Sequence, residues 1–335
     1  MLGKPLTSWC GRLRVRPFYG QHEMTEAADT APRQYLVELC RRGWRVFAAL
    51  LSFAFFGLVG LVYGGVFFPV LRLLVRDPVR RRVQSRRLVG LFMRNFAAFM
   101  HRVGLIEVQM RGAEYLLTPG AVIAPNHPTL IDVVLLLAVA PQLDLVVKDA
   151  LRRNLFTRAT VVAAGYIVNA DGRALIDRCA DVLRDGRSVL IFPEGTRTTP
   201  GQPVELVRGA CSIVLRADGL VVPVVIRCVP PALSKQHHWY DLPTRPLQFD
   251  IEAYAPWTAN DYRRVEATPE ERVGALLAGD DTDAKLRAHS ARPDAIRYRP
   301  RAAHEMTAAL ELFYRNALAQ PWRAPAPRQA LSRLR

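Results

Sequence analysis

Cysteine is scarce and scattered. Five residues in 335 (Cys10, Cys40, Cys179, Cys211 and Cys228) are odd in number and form no CxxC pair. That excludes a closed disulfide framework and a cysteine zinc site, and it fits a reducing compartment. Acidic charge is also short: 46 Lys and Arg face 30 Asp and Glu, a formal net charge of +16. No Gly-x-Ser-x-Gly elbow occurs, so the signature of a serine nucleophile on a strand–helix turn is missing. The histidines lack metal-ligand spacing, and no metal or resident cofactor is expected. Internal repeats and long low-complexity tracts are absent too.

What is present begins with the basic excess. It fits nucleic acid, an anionic membrane face or an acidic substrate. Much of it is Arg beside an apolar run, which favours the membrane. No stretch interleaves Lys/Arg with aromatics as nucleic-acid binders do, so nucleic acid is not an expected partner. Half of the residues are apolar, enough for a sizeable core.

Residues 1–45 are polar, with Arg12, Arg14 and Arg16 clustered. The apolar run comes too late for a cleaved signal peptide, so they read as a cytosolic arm. Residues 46–71 carry no charge and are long enough for a bilayer, which takes about 20 residues. Arginines flank both ends (Arg41, Arg42 and Arg45 before; Arg72, Arg76 and Arg80 to Arg82 after), so the positive-inside rule does not choose an orientation. Two forms fit this pattern: a single span, and an in-plane or re-entrant hairpin bent at Gly57, Gly60, Gly64 and Gly65, where close helix contact is also possible. Residues 72–105 follow as a basic amphipathic helix, with Val83, Leu88, Leu91, Phe92, Phe96 and Met100 at helical spacing and an Arg face suited to anionic lipid.

From Ile106 the pattern becomes strands alternating with helices. Strands are expected at 107–110, 121–124, 144–148, 163–168, 188–192, 221–227 and 248–254, and helices at 130–140, 173–184 and 209–217. That alternation predicts an α/β layer fold on a partly parallel sheet over 106–256. A C-terminal extension, 257–335, has a helical piece near 269–277 and a terminal helix carrying Met306, Leu310, Phe313 and Ala317.

Two constellations carry chemistry. Asn126-His127-Pro128-Thr129-Leu130-Ile131-Asp132 follows a strand and opens a helix. Histidine is a natural general base near neutral pH, and a carboxylate can hold its tautomer. Inside one helix, residues five apart point about 140° away from each other. The pair therefore meets only if His127 lies at or before the helix start, which Pro128 favours. Amides at that helix start are candidate oxyanion donors. The second constellation, Phe192-Pro193-Glu194-Gly195-Thr196-Arg197-Thr198, sits at a strand's carboxyl end, where ligands collect in open α/β sheets. Arg197 offers a planar fork for phosphate, Gly195 allows close backbone approach, and Glu194 is suited to ordering Arg197 or binding acceptor hydroxyls.

In this order and spacing the two motifs resemble the 1-acylglycerol-3-phosphate acyltransferase (PlsC-like glycerolipid acyltransferase) family. Lys148 in Val-Val-Lys-Asp, Val207-Arg208-Gly209-Ala210 and Val222-Pro223-Val224 add to the resemblance, which covers about residues 85–256. It implies a glycerolipid-acyltransferase-like mixed α/β sheet flanked by helices, with a membrane-embedded helical segment before it. His127, oriented by Asp132, would take the proton of a lipid hydroxyl that attacks acyl-CoA or acyl-ACP. Asn126, Lys148, Glu194, Gly195, Thr196 and Arg197 would bind substrate.

One position departs from the family pattern: Asn169 stands near an expected arginine, and Arg173, four residues on, is the candidate replacement. The acceptor is then either a lysophospholipid or a lipid without phosphate, such as a glycolipid, aminolipid or polyene lipid. A non-catalytic membrane scaffold is the competing class, opposed by the intact His127, Asp132, Glu194 and Arg197. Heavy Arg and Ala usage fits a GC-rich genome, and the expected location is a bacterial inner membrane, with the catalytic domain facing the cytosol.

Overall fold

A computed structural model describes residues 21–169, 172–199, 201–236, 241–258 and 300–320; the side chains of 21–34 and 36 are outside that description. The expected helical piece near 269–277 lies outside the described residues. The chain divides into two compact units, Met1–Trp44 and Arg45–Arg335.

The apolar run does not bend back on itself. Helix α1 (Gln21–Val62) passes through one π-helical turn, Tyr63–Phe67, directly into α2 (Phe68–Leu74). Val37–Leu74 is long and apolar enough to cross a membrane. The glycines therefore do not make the expected bend, because nothing interrupts the backbone ladder beyond the π turn. Reversal comes at 75–77, where the Asp77 carboxylate accepts the Val79 and Arg80 amides and starts α3 (Pro78–Arg102). The two helical arms pack antiparallel through aromatic rings, Phe55 near Phe99, Phe56 near Phe96 and Tyr63 near Phe92.

The buried stripe of α3 is Val89, Phe92, Met93, Phe96, Ala97 and Met100, whereas Val83 and Leu91 are exposed. Arg86, expected on the basic outer face, is buried. Its guanidinium donates to Asp144 at 2.6 and 3.0 Å and to the carbonyls of Ala164 and Gln142.

Among the described residues the sheet has eight strands. β1 (Ile106–Arg111), β2 (Ala121–Pro125), β3 (Asp144–Lys148), β4 (Ile167–Asn169), β5 (Val189–Leu190), β6 (Leu220–Val229) and β7 (Leu247–Ala253) lie in the order β1-β7-β6-β2-β5-β3-β4. β8 (Trp257–Thr258) pairs with β6. Every pairing is parallel except β6 with β7 and with β8, so the sheet is mixed. One face carries the core shared with α3, α4 (Asp132–Val139) and α6 (Leu155–Ala164); a short α5 (Asp149–Arg153) precedes α6. The other face is covered by α7 (Gly172–Arg184), α8 (Gly209–Ala217) and α9 (Pro300–Ala319).

Two local expectations change. The stretch 163–168 ends a helix rather than forming a strand. α6 closes at Gly165, whose φ of +64° is the left-handed conformation glycine adopts freely, and only three residues of β4 follow. The first helix of the site begins at Asp132 rather than Leu130. The terminal helix α9 belongs to the core, with Met306, Leu310, Phe313, Tyr314 and Ala317 all buried.

Candidate active site

The carboxyl ends of parallel strands β2, β3, β4 and β5 converge on one edge of the sheet. They deliver His127, Lys148, Asn169 and the 192–198 turn, respectively. All four line a single cavity of about 1380 Å³. Its polar mouth also holds Gly195, Thr196, Arg197 and Arg173, with Arg208 and Lys235, which sequence reasoning did not single out as site residues. Its remaining wall is apolar and aromatic, including Phe53, Phe56, Met93, Phe96 and Leu137.

His127 lies in the loop before α4, and this is what lets it reach Asp132. Its Nδ1 is 2.8 Å from Asp132 Oδ2. The Asp132 side chain is fully buried and also accepts the Thr129 amide at 2.8 Å and the Thr129 hydroxyl. Burial pushes the Asp132 carboxyl up, and the bonds from His127 and Thr129 oppose that push. The imidazole stacks on Phe192, with centroids 4.0 Å apart. Among the described residues Nε2 has no hydrogen-bond partner, and His127 borders the cavity.

The backbone of His127 is gripped by the second motif. Its amide donates to Glu194 Oε1 at 2.8 Å, and its carbonyl accepts the Thr198 amide at 2.7 Å. The Thr198 hydroxyl donates to the same Glu194 oxygen at 2.7 Å. Of the two roles expected of Glu194, ordering Arg197 or binding acceptor hydroxyls, the first is not seen: its Oε1 orders the His127 loop instead. Burial raises the Glu194 carboxyl above its usual 4.5, against the lowering effect of these bonds. Arg197 instead donates to the Leu233 and Ser234 carbonyls at 2.9 and 3.1 Å, which fixes it against the loop after β6. Gly195 has φ +65°, the left-handed value the turn needs.

Asn126 does not reach the cavity. It is 1% exposed and extends the β2–β6 ladder: Oδ1 accepts the Ile226 amide at 2.6 Å and Nδ2 donates to the Ile226 carbonyl at 2.9 Å. The two loop amides before α4 are occupied as well, since Thr129 donates to Asp132 and Leu130 to the Leu233 carbonyl. These two are not available as oxyanion donors in this arrangement.

Two further braces come from α9. The Tyr314 hydroxyl donates to the Ala124 carbonyl, three residues before His127. Glu311 accepts the Leu206 amide at 2.7 Å, and the neighbouring Val207 amide donates to Pro193 at the start of the motif turn. The helical spacing of the terminal segment was visible in the sequence, but no motif links residues so far apart.

Residues 107–227 match the Acyltransferase family model. This stretch is an acyltransferase domain, and it is similar to those of the PlsC-like 1-acylglycerol-3-phosphate acyltransferases. Among curated relatives, the chloroplastic 1-acyl-sn-glycerol-3-phosphate acyltransferase of Arabidopsis thaliana is 26% identical over 161 residues, 46% of this chain and 43% of that protein. The alpha enzyme of the same name from Mus musculus is 29% identical over 151 residues, 42% of this chain and 52% of that protein. The chain thus spans about half the length of the curated relatives it matches. The crystal structure of the 1-acyl-sn-glycerophosphate acyltransferase PlsC from Thermotoga maritima shares the fold, with a TM-score of 0.56 at 19% identity over 76% of this chain and 100% of that one.

Proposed function

We propose that this protein is a membrane-bound acyltransferase that moves a fatty acyl group from acyl-CoA or acyl-ACP to the hydroxyl of a lysophospholipid resembling 1-acylglycerol-3-phosphate. One observation carries the reading: an imidazole held by a buried carboxylate at 2.8 Å borders the same cavity as Lys148, Arg173 and Arg197, and that cavity continues into an apolar chamber. The cations suit a phosphate and the chamber suits hydrocarbon.

In this reading His127 Nε2 takes the acceptor's hydroxyl proton while Asp132 stabilises the imidazolium. The freed oxygen attacks the thioester carbonyl and forms the new C–O bond. The C–S bond then breaks, and the proton passes from His127 to the departing thiolate. No acyl-enzyme is needed. Gly195, Thr196 and Arg197 bind the acceptor head group with Lys148 and Arg173. Asn126 and Glu194 position the His127 loop.

The uncharged stretch of α1, continued by α2, anchors the protein. Leu50, Leu58, Leu61, Val66, Leu73 and Leu74 on these helices are exposed, and clustered exposed apolar residues mark interaction or membrane surfaces. We place the enzyme at a bacterial inner membrane with the cavity mouth facing the cytosol.

A second reading rests on Asn169. It lines the cavity beside its sheet neighbour Lys148, where an arginine is expected in the family. Loss of that cation favours an acceptor without phosphate.

The deciding experiment offers radiolabelled acyl-CoA and acyl-ACP with a panel of phosphorylated and non-phosphorylated acceptors to the purified protein. A diacyl phospholipid product supports the first reading, and product from uncharged acceptors alone supports the second. Full turnover by His127→Ala would remove the general-base assignment.

A further inference from the structure

Helix α6 lies flush on the apolar helix through glycine. A Cβ on Gly60 would stand 2.6 Å from the Phe156 carbonyl oxygen, and one on Gly64 would stand 2.8 Å from the Ala159 Cβ. Both glycines are inside the uncharged run 46–71. Whatever medium surrounds the apolar helix at that level therefore also reaches the outer side of α6.

That outer side is dressed for hydrocarbon. Leu155 is 72% exposed and Val162 63%, and Leu151 and Phe156 are exposed beside them. Leu155, Arg158 and Val162 follow one another at helical spacing along the exposed stripe. The cations of the segment are Arg152, Arg153 and Arg158, and its one carboxylate, Asp149, is paired with the first two. A basic rim beside an apolar stripe matches an anionic leaflet, and long Arg side chains keep their heads among the head groups. At ten residues α6 is about 15 Å long, too short to span a bilayer. Its inner side is different: Thr157, Thr160 and Val161 line the active-site cavity, which Leu151 and Phe156 also border, whereas Leu155 and Val162 do not.

We infer that α5–α6 is a second lipid-contacting element. It lies in the boundary between head groups and acyl chains beside the apolar helix, and it forms the wall between the leaflet and the cavity. The occupant is a lipid surface rather than a second copy of the chain, because the patch is continuous with the apolar helix and rimmed by cations. This inference rests on the membrane reading of the preceding section.

The test uses the full chain in vesicles of phosphatidylcholine and phosphatidylglycerol containing a lipid with a photoreactive acyl chain. After illumination, labelled peptides are mapped by mass spectrometry. Label on residues 149–164 as well as on α1–α2, with none on α7 across the sheet, is expected. Label confined to α1–α2, or chain-to-chain cross-links through Leu155, would overturn the proposal.

The double variant Leu155→Glu, Val162→Glu gives a functional readout. These side chains are exposed and do not line the cavity, so the fold tolerates the charges. Turnover of a long-chain acceptor embedded in vesicles should fall about tenfold, the scale of expelling two apolar side chains from lipid contact. Turnover of a short-chain acceptor in solution should be unchanged. Equal loss on both acceptors, or on neither, would count against the lipid contact. A wild-type chain inactive on both would instead overturn the proposed activity, and the labelling pattern would still decide the contact.

Discussion

His127 and Asp132 meet at 2.8 Å because the loop, not the helix, carries the histidine: α4 starts at Asp132 itself. The aspartate is thereby fixed by the first turn of a rigid element, while the imidazole swings in from outside it. Asp132→Asn should keep the fold yet hold the wrong tautomer of His127. We expect kcat to drop roughly 10²- to 10⁴-fold with KM for the acceptor nearly constant. A single-turnover assay with both substrates checks this, and a variant as fast as wild type would sink the pairing.

Glu194 gives a pH prediction with a definite sign. Its carboxyl is raised by burial above the usual 4.5. A group that binds its proton more tightly when folded stabilises the fold at low pH, and that advantage is lost as pH climbs from about the unfolded value through the raised one. Glu194→Gln keeps an oxygen to accept the His127 amide and the Thr198 hydroxyl without the buried charge. The variant's stability relative to wild type should therefore improve as pH rises above the ordinary carboxylate range. Thermal unfolding in detergent across that range is the measurement, and a pH-independent difference would contradict it.

Asp144 accepts from two arginines, Arg86 at 2.6 Å and Arg187 at 2.9 Å. Asp144→Ala leaves the buried Arg86 guanidinium without its counter-charge. The expected cost is about 3–5 kcal/mol, seen as a clear fall in Tm. Arg86 joins α3 to the sheet, so protease sensitivity should rise near the start of that helix. Wild-type Tm in this variant would show that the ion pair is not structural.

The α9 braces predict a split between two substitutions at one site. Glu311→Gln still accepts the Leu206 amide and should behave like wild type. Glu311→Ala frees the loop that leads to Pro193 and should raise acceptor KM several-fold with little change in Tm. Tyr314→Phe removes one buried hydroxyl bond and should cost about 1 kcal/mol. Identical kinetics for the Gln and Ala variants would argue that the loop needs no brace.

The contact between His127 and Asp132 was legible because both residues lie in one seven-residue motif whose geometry depends only on where a helix starts. The α/β alternation and the buried stripe of α9 were legible for a similar reason, since periodicity is local. The misread residues answer to distant backbone. Asn126 is captured by Ile226, a hundred residues on, and Glu194 by the amide of His127, so a polar side chain in a motif looked like a substrate ligand. α6 was hidden because its sequence, LFTRATVVAA, has too little polar contrast to show a helical face. Its outer stripe is apolar where a soluble helix would be charged. The buried Arg86 was taken for surface because five neighbouring arginines within 76–87 obscure the one that points inward.

β1 borders only β7 among the described strands, and their paired residues are 141 positions apart. On a chain emerging from a ribosome, the first strand of the sheet must wait, edge unsatisfied, until nearly the whole domain has been synthesised. Closure of this long-range pair is thus a late, slow event in biogenesis. Until then, shelter for that edge must come from elsewhere, and on the proposed membrane reading the apolar helix made before it would leave the nascent chain beside a bilayer while it waits.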